Sequence, residues 1–271
     1  MKKLLLALLL VPAAAASLRA GAWTSPRGGW YMEEGTSSFQ TDRDLGGTGH
    51  SRKKDFNGVY DDTTYKTYLE YGAVERWTVI TSIPYRKAHY VDDYSDINNG
   101  GLQDLTAGVK WGWKTKPWVV SFAGFAYVPM GYNASAPLGK SLGTGRGNAE
   151  GRAIVSRELK NMPGRSSIFV TGELGKDRYG VPYSLEAFWL HAKWIYTKLY
   201  INGVQPWPHH WDSQEYAQWT ASVGLTSRGR NVIMRSAREQ SFGLSVGYGR
   251  LIRGRNTGRG DTISLSVAYV L

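Results

Sequence analysis

Residues 262–271, TISLSVAYVL, decide the fold class. Every second residue of this stretch is large and apolar or aromatic: Ile263, Leu265, Val267, Tyr269 and Leu271. The residues between them, beginning with Thr262 and Ser264, are mostly small or hydroxylated. A period of two is typical of a β-strand whose faces meet different environments. The stretch therefore predicts a closing strand in a sheet with one apolar face.

The same stretch resembles the C-terminal signature of bacterial outer-membrane proteins, in which apolar residues alternate back from the terminus and an aromatic residue stands third from the end. Tyr269 has that third position, whereas Leu271 stands where those proteins usually have Phe or Trp. The resemblance implies that residues 263–271 are the assembly signature that the barrel-assembly machinery recognises. A soluble β-sandwich could end on a similar strand, so the decision needs the rest of the sequence.

The start of the chain predicts export. Lys2 and Lys3 precede an apolar run over residues 4–11, which is followed by Pro12 and four alanines. This order is typical of a secretory signal peptide, and the run is too short to span a bilayer as a helix. We expect a signal peptide over residues 1–22, cleaved between residues 16 and 22. The later site is preferred and leaves 23–271 as the mature domain.

The composition favours a membrane β-barrel. The chain of 271 residues has no cysteine, which excludes disulfides, thiol catalysis and Cys-ligated metals. Beyond residue 22 it has no apolar stretch long enough for a membrane helix. Yet it contains 11 Trp and 17 Tyr at a mean hydropathy of −0.37. Barrels combine these properties because lipid-facing residues alternate with polar lumen residues and aromatic residues gather at the interfaces.

The formal net charge of +11 does not predict nucleic-acid binding. The basic residues are scattered through predicted turns, as in residues 52–54 and 250–259, and an exported protein rarely meets nucleic acid. Basic loops would face anionic lipopolysaccharide, and a basic lumen would favour anionic solutes.

Segments with a period of two recur along the whole chain, and no helical period of convincing length does. Residues 105–114 show the alternation most clearly. Short connections at 74–76, 115–117 and 161–164 alternate with long polar ones at 42–61, 91–101 and 132–147. This asymmetry is typical of periplasmic turns and extracellular loops. The sequence therefore predicts an all-β, antiparallel, up-and-down transmembrane β-barrel of about twelve strands, although ten or fourteen also fit.

Two further segments carry a narrower resemblance. Residues 70–85, EYGAVERWTVITSIPY, and 101–111, GLQDLTAGVKW, are similar to the meta-pathway phenol-degradation-like outer-membrane family. In that family a polar turn joins two strands, the second ends in Pro-Tyr, and Gly-x-x-Asp-Leu opens the next strand. Pro84-Tyr85 and Gly101, Asp104 and Leu105 stand at those places. The resemblance implies a barrel of about twelve strands that passes small, including aromatic, compounds.

Several short motifs resemble active sites, but each lacks a residue or a local structure that the chemistry needs. Ser245 lies in a G-x-S-x-G pattern, but in mid-strand and not at the strand-to-helix turn that this nucleophile needs. Residues 139–141 lack the full phosphate-loop spacing, and residues 92–100 lack the closing Glu of a calcium loop. His209-His210 has no third ligand in view. We predict no catalytic residue, metal site or cofactor.

Strand alternation selects candidate lumen-lining residues, because a charge facing lipid is costly. They are Lys66, Glu70, Lys110, Arg152, Glu158, Glu173, Glu186 and Lys198. The predicted function is a narrow channel in the bacterial outer membrane for passive passage of small solutes, aromatic or anionic ones included. The partners would be membrane lipid, lipopolysaccharide and the barrel-assembly machinery. The alternatives are a structural or adhesive barrel that acts through its loops and, less favoured, a barrel-borne lipid hydrolase.

Overall fold

The computed structural model describes residues 21–115, 117–138, 142–143, 145–159, 167–191, 194–207, 214–227 and 240–271. The described strands are β1 (Trp30–Thr41), β2 (Arg43–Leu45), β3 (Ser51–Lys53), β4 (Val59–Val74), β5 (Trp77–Val91), β6 (Asp96–Leu102), β7 (Leu105–Thr115), β8 (Trp118–Val128), β9 (Asn148–Leu159), β10 (Ser167–Asp177), β11 (Gly180–Leu190), β12 (Ile195–Pro206), β13 (Glu215–Thr226), β14 (Ser241–Arg255), β15 (Thr257–Gly258) and β16 (Asp261–Val270). A single 3-10 turn (Asp55–Asn57) precedes β4.

The long strands close into an antiparallel barrel of twelve strands, as the sequence predicts. β1 pairs with both β4 and β16, and β4 pairs with β5, so the sheet has no free edge along the wall. β6 and β7 act as one strand because both pair with β5, with an interruption at residues 103–104. A small second sheet, separate from the wall, is formed by β15, β2 and β3.

The outer face of the wall carries the apolar and aromatic surface that a bilayer requires. At the short-turn end Trp30 packs on Tyr71 with ring centroids 4.5 Å apart. Toward the long-loop end Tyr65 lies 6.5 Å from Tyr85. Exposed residues such as Val79, Val109, Leu185, Leu199 and Val246 occupy the band between the two ends. Aromatic girdles on either side of an apolar band are typical of outer-membrane barrels, in which short turns mark the periplasmic end.

Two predicted loops are shorter than expected. Residues 96–101 belong to β6, which pairs with β5 as far as Val91, so the loop is confined to residues 92–95. Within 42–61 the chain forms β2, β3 and the start of β4. The sequence of Asn98-Asn99-Gly100-Gly101 shows no alternation, because all four residues are small or polar and the two strand faces therefore do not differ in hydrophobicity.

The closing strand spans Asp261–Val270, one residue earlier than predicted, and Leu271 exchanges both backbone hydrogen bonds with Trp30. Within the described ranges, no helix is long and apolar enough to cross a membrane. Most of the predicted signal peptide (1–20), the connection at 161–164, residues 139–141 and His209-His210 lie outside the described residues.

Candidate functional site

The interior of the barrel is the candidate site. Alternation along the strands puts all eight predicted residues on the face that also carries the buried Phe169, Thr171 and Ser184. Lys66 and Glu70 lie on β4, Lys110 on β7, Arg152 and Glu158 on β9, Glu173 on β10, Glu186 on β11 and Lys198 on β12. Their part in solute passage is a proposal, whereas their contacts are specific and described next.

The first cluster joins β4 and β7 over the inner face of β5, which lies between them. Lys110 Nζ lies 3.3 Å from Glu70 Oε1, and both side chains are almost fully buried. The hydroxyl of Tyr68 also donates to Glu70 Oε1, at 2.6 Å. A buried pair of this kind holds together only when further hydrogen bonds satisfy its remaining donors and acceptors.

The second cluster joins β9 and β10. Arg152 Nε donates to Glu150 Oε1 at 2.7 Å, and its Nη1 donates to Glu173 Oε2 at 2.9 Å. The guanidinium lies 5.1 Å from the ring centroid of Phe125, and the hydroxyl of Tyr127 donates to Glu150. Sequence reasoning missed Glu150, although its position two residues before Arg152 on one strand places both on the same face.

The third cluster joins β11 and β12. Lys198 Nζ lies 3.9 Å from Glu186 Oε2 and 5.9 Å from the ring centroid of Tyr200. Nearby, Phe188 and Tyr196 stack with centroids 4.5 Å apart.

Carboxylates slightly outnumber basic groups on the inner face of the described strands. The carboxylates are Glu33, Asp62, Glu70, Glu150, Glu158, Glu173, Asp177 and Glu186, and the bases are Lys66, Arg86, Lys110, Lys114, Arg152 and Lys198. The net positive charge of the chain therefore does not reside in the lumen. This differs from the basic lumen considered on the sequence, because basic residues such as Arg52, Arg76 and Arg253 have exposed side chains away from the inner face.

Residues 21–26, here called the N-terminal segment, lie inside the barrel near the short-turn end. The backbone N–H of Ala22 donates to Ser156 Oγ at 2.8 Å, and that of Ser25 donates to Thr78 Oγ1 at 2.9 Å. Lys110 Nζ donates to the carbonyl oxygen of Gly21 at 3.4 Å. The segment thus binds wall strands β5, β7 and β9 and contributes a backbone carbonyl to the first charge cluster.

Two glycines of the wall make room for this segment. A Cβ on Gly72 would stand 1.9 Å from the carbonyl oxygen of Pro26, and one on Gly112 would stand 2.7 Å from Thr24 Cγ2. The contact at Gly72 cannot be tolerated without a backbone shift, and the one at Gly112 would force the Thr24 side chain to move, so the segment and these two positions fit each other. Sequence reasoning missed the segment because residues 21–26 have no periodicity.

An aromatic cluster surrounds the N-terminal segment. Trp23 meets Phe169 edge to face at 5.8 Å, and Phe169 in turn meets Phe188 at 6.4 Å. Tyr31 and Val270 are buried in the same cluster. The short-turn half of the lumen is therefore filled by side chains, as in a packed core.

The long-loop half of the lumen is open. A cavity of about 750 Å³ lies between β1, β4, β5, β13 and the small second sheet. A second cavity, of about 270 Å³, lies beside β9 and β11. Next to it the hydroxyl of Tyr132 donates to Asp104, which ties the loop after β8 to the interruption between β6 and β7. Desolvation and this bond raise the pKa of Tyr132 to about 12, so the hydroxyl remains a donor at neutral pH.

Among the remaining sequence motifs, the G-x-S-x-G pattern lies within the described residues. Ser245 lies in mid-strand on β14, and its Oγ is 2.9 Å from Ser266 Oγ. That is a strand-to-strand hydrogen bond and not the strained turn of a nucleophile. Among the described residues, no group of three His, Asp or Glu side chains is placed to hold a metal ion.

Comparison with solved structures agrees with this architecture. The COG4313 outer membrane channel from Pseudomonas putida F1 superposes with a TM-score of 0.64 at 13% identity, covering 95% of this chain and 100% of that one. The fold is that of an outer-membrane β-barrel. The β domain of the Bordetella autotransporter BrkA is also similar, with a TM-score of 0.51 and 9% identity over 90% of this chain and 100% of that one. No protein-family model matches the sequence, and no curated protein is significantly similar to it.

Proposed function

We propose that this outer-membrane barrel is a narrow channel for passive passage of small polar solutes. The observation that carries the proposal is the division of one closed lumen into an open long-loop half and a half filled by the N-terminal segment. A solute entering the cavity of about 750 Å³ must pass the segment to leave at the other end. The width of the path is then set by residues 21–26 and the clusters around them.

The nature of the lumen favours uncharged solutes. In the three clusters each charged side chain has an opposite charge within 4 Å, so a charged solute would meet few unmatched partners there. The resemblance of residues 70–85 and 101–111 to the phenol-degradation-like family supports small, including aromatic, compounds as a second class. The balanced charge gives no support to a preference for anions.

Planar-bilayer recording of the refolded barrel tests the proposal. Small, single-channel steps are expected for the intact chain, and larger steps for a chain that begins at Gly28, because removing the N-terminal segment widens the path. A folded barrel that shows no conductance in either form would contradict it. Folding is checked independently by the heat-dependent shift in gel mobility that closed barrels show.

We further propose that the basic long-loop end faces lipopolysaccharide, since Arg52 and Arg253 have side chains about three-quarters exposed. Residues 263–271 would be the part that the assembly machinery recognises, and the signal peptide would be removed on export by cleavage between residues 16 and 22. N-terminal sequencing of the exported protein tests where the signal peptide is cleaved. A start at Ser17 keeps Gly21 and Ala22 in the lumen, whereas a start at Trp23 places a new amino group beside Phe169.

A further inference from the structure

The lumen cavity of about 750 Å³ has the composition of a binding site and not simply of an entrance. We call it the vestibule and define it by Phe39, Tyr60, Asp62, Arg86, Gln218 and Asn256. Its volume of about 750 Å³ lies within the range of roughly 300–1,000 Å³ that small-molecule sites occupy. Strands β1, β4, β5 and β13 supply the wall, and the small second sheet covers one side.

The charged groups of the vestibule satisfy each other. Arg86 Nε lies 3.7 Å from Asp62 Oδ1 and donates to Thr64 Oγ1 at 3.0 Å. The hydroxyl of Tyr60 donates to the other oxygen of Asp62 at 3.0 Å. At the cover, Lys54 Nζ lies 2.5 Å from Asp44 Oδ1. A solute with a net charge would have to break one of these pairs to find a partner, whereas a neutral solute would not.

The rest of the lining is suited to groups that both donate and accept hydrogen bonds. Gln214, Gln218 and Asn256 bring three carboxamides to one cavity, and each carboxamide carries a donor and an acceptor side by side. Adjacent hydroxyls on a ring present the complementary pattern. The hydroxyls of Ser37, Thr41 and Thr262 line the same space.

An aromatic pair supplies the apolar part of the site. The rings of Phe39 and Tyr60 lie 6.3 Å apart with planes inclined by 56°. Phe39 is directed into the lumen, unlike the lipid-facing aromatic residues of the girdles. An aromatic face is the usual surface for the C–H side of a sugar ring, because it excludes water there while the ring hydroxyls reach polar side chains.

We propose that the vestibule is a binding site for an uncharged sugar of one or two rings. The amides would bind its hydroxyls, and Phe39 with Tyr60 would pack on its C–H face. The inference rests on the proposed channel in that the bound sugar would be a solute the channel passes. The site itself stands on the charge pairing, the amides and the aromatic pair, which together disfavour an aromatic acid.

Titration calorimetry of the refolded full barrel in detergent tests the binding site directly, with glucose, maltose and benzoate as probes. Saturable binding of a sugar, and none of benzoate, is expected. Gln218→Ala and Phe39→Ala should each weaken sugar binding by about tenfold. Gln40→Ala is the matched control, since Gln40 is an exposed amide next to Phe39 on the other face of β1. It should leave binding unchanged.

Recordings of the ion current distinguish the proposed sugar site from the proposed channel function. Sugar that interrupts the ion current of the intact barrel, but not that of Gln218→Ala, would support both. Conductance without sugar binding would overturn the sugar site and leave the channel standing. Sugar binding without conductance would overturn the channel and leave the site. Benzoate binding that Gln218→Ala abolishes would also overturn the proposal, and having two lumen variants keeps the test valid if Phe39→Ala does not fold.

Discussion

The two halves of the lumen are enclosed by the same strands but built differently. At the short-turn end, Trp23, Phe169, Phe188 and the Glu70–Lys110 pair fill the interior. At the long-loop end, hydroxyls, amides and paired charges surround open space. Strand alternation fixes only which side chains point inward. Their size and the presence of the N-terminal segment decide whether a level of the barrel is a core or a cavity, so the two halves suit restriction and recognition respectively.

The largest effect is expected from unpairing the buried ions of the filled half. Lys110→Met should lower the free energy of unfolding by about 3–5 kcal/mol, because Glu70 would remain buried without its cation. Urea titration of the refolded barrel in lipid measures the change. The double variant Lys110→Met with Glu70→Gln should recover most of it.

Arg250→Met is the control for this experiment. Arg250 pairs with Asp261 at 3.4 Å, but both side chains are about half exposed, so the loss should stay below about 1 kcal/mol. Equal losses at Lys110 and Arg250 would mean that the filled half is hydrated and not packed like a core.

The next effect concerns the N-terminal segment. Gly72→Val should displace the segment, because the added Cβ would overlap the carbonyl of Pro26, and conductance should rise several-fold. Gly124→Val is the control, since a Cβ there meets nothing within 4 Å. Unchanged conductance of a folded Gly72→Val barrel would show that the segment does not limit the path.

The smallest effect is expected in the open half. Arg86→Gln should leave Asp62 without its cation and increase the preference for cations over anions, read as a modest shift of reversal potential in a salt gradient. Lys87→Gln removes the same charge from the neighbouring outward-facing position and should give no shift. If both variants behave alike, the ions do not pass through the vestibule.

The wall of the barrel could be predicted from the sequence to a large extent. Residues 105–115 form β7 with the alternation that their sequence shows, and the count of twelve strands agrees with the prediction, which also allowed ten or fourteen. The rule fails for residues 96–101, where small and polar residues offer no contrast between faces. It also cannot pair charges between strands. Glu70 and Lys110 are 40 residues apart, and only the register of β4, β5 and β7 brings them together.

The filling of the lumen could not be predicted in this way. The backbone N–H of Ala22 donates to the side-chain Oγ of Ser156, 134 residues further along the chain. Such a contact depends on where the wall leaves space, as at Gly72 and Gly112, and not on a pattern within residues 21–26. The eight lumen candidates were chosen by strand alternation alone. Alternation tells which face of the sheet a side chain is on, but it does not tell which hydrogen-bond or ion-pair partners the side chain has.

The N-terminal segment also constrains the order in which the protein can fold. Neighbouring strands such as β10 and β11 pair locally, whereas β1 must wait for β16, more than 200 residues away in sequence. The site that receives Ala22 combines Ser156 of β9 with Thr171 of β10, so it exists only after that hairpin has formed. Docking of residues 21–26 is therefore expected as a late kinetic phase. It can be followed by the fluorescence of Trp23, and it should be reversible while every strand of the wall stays paired.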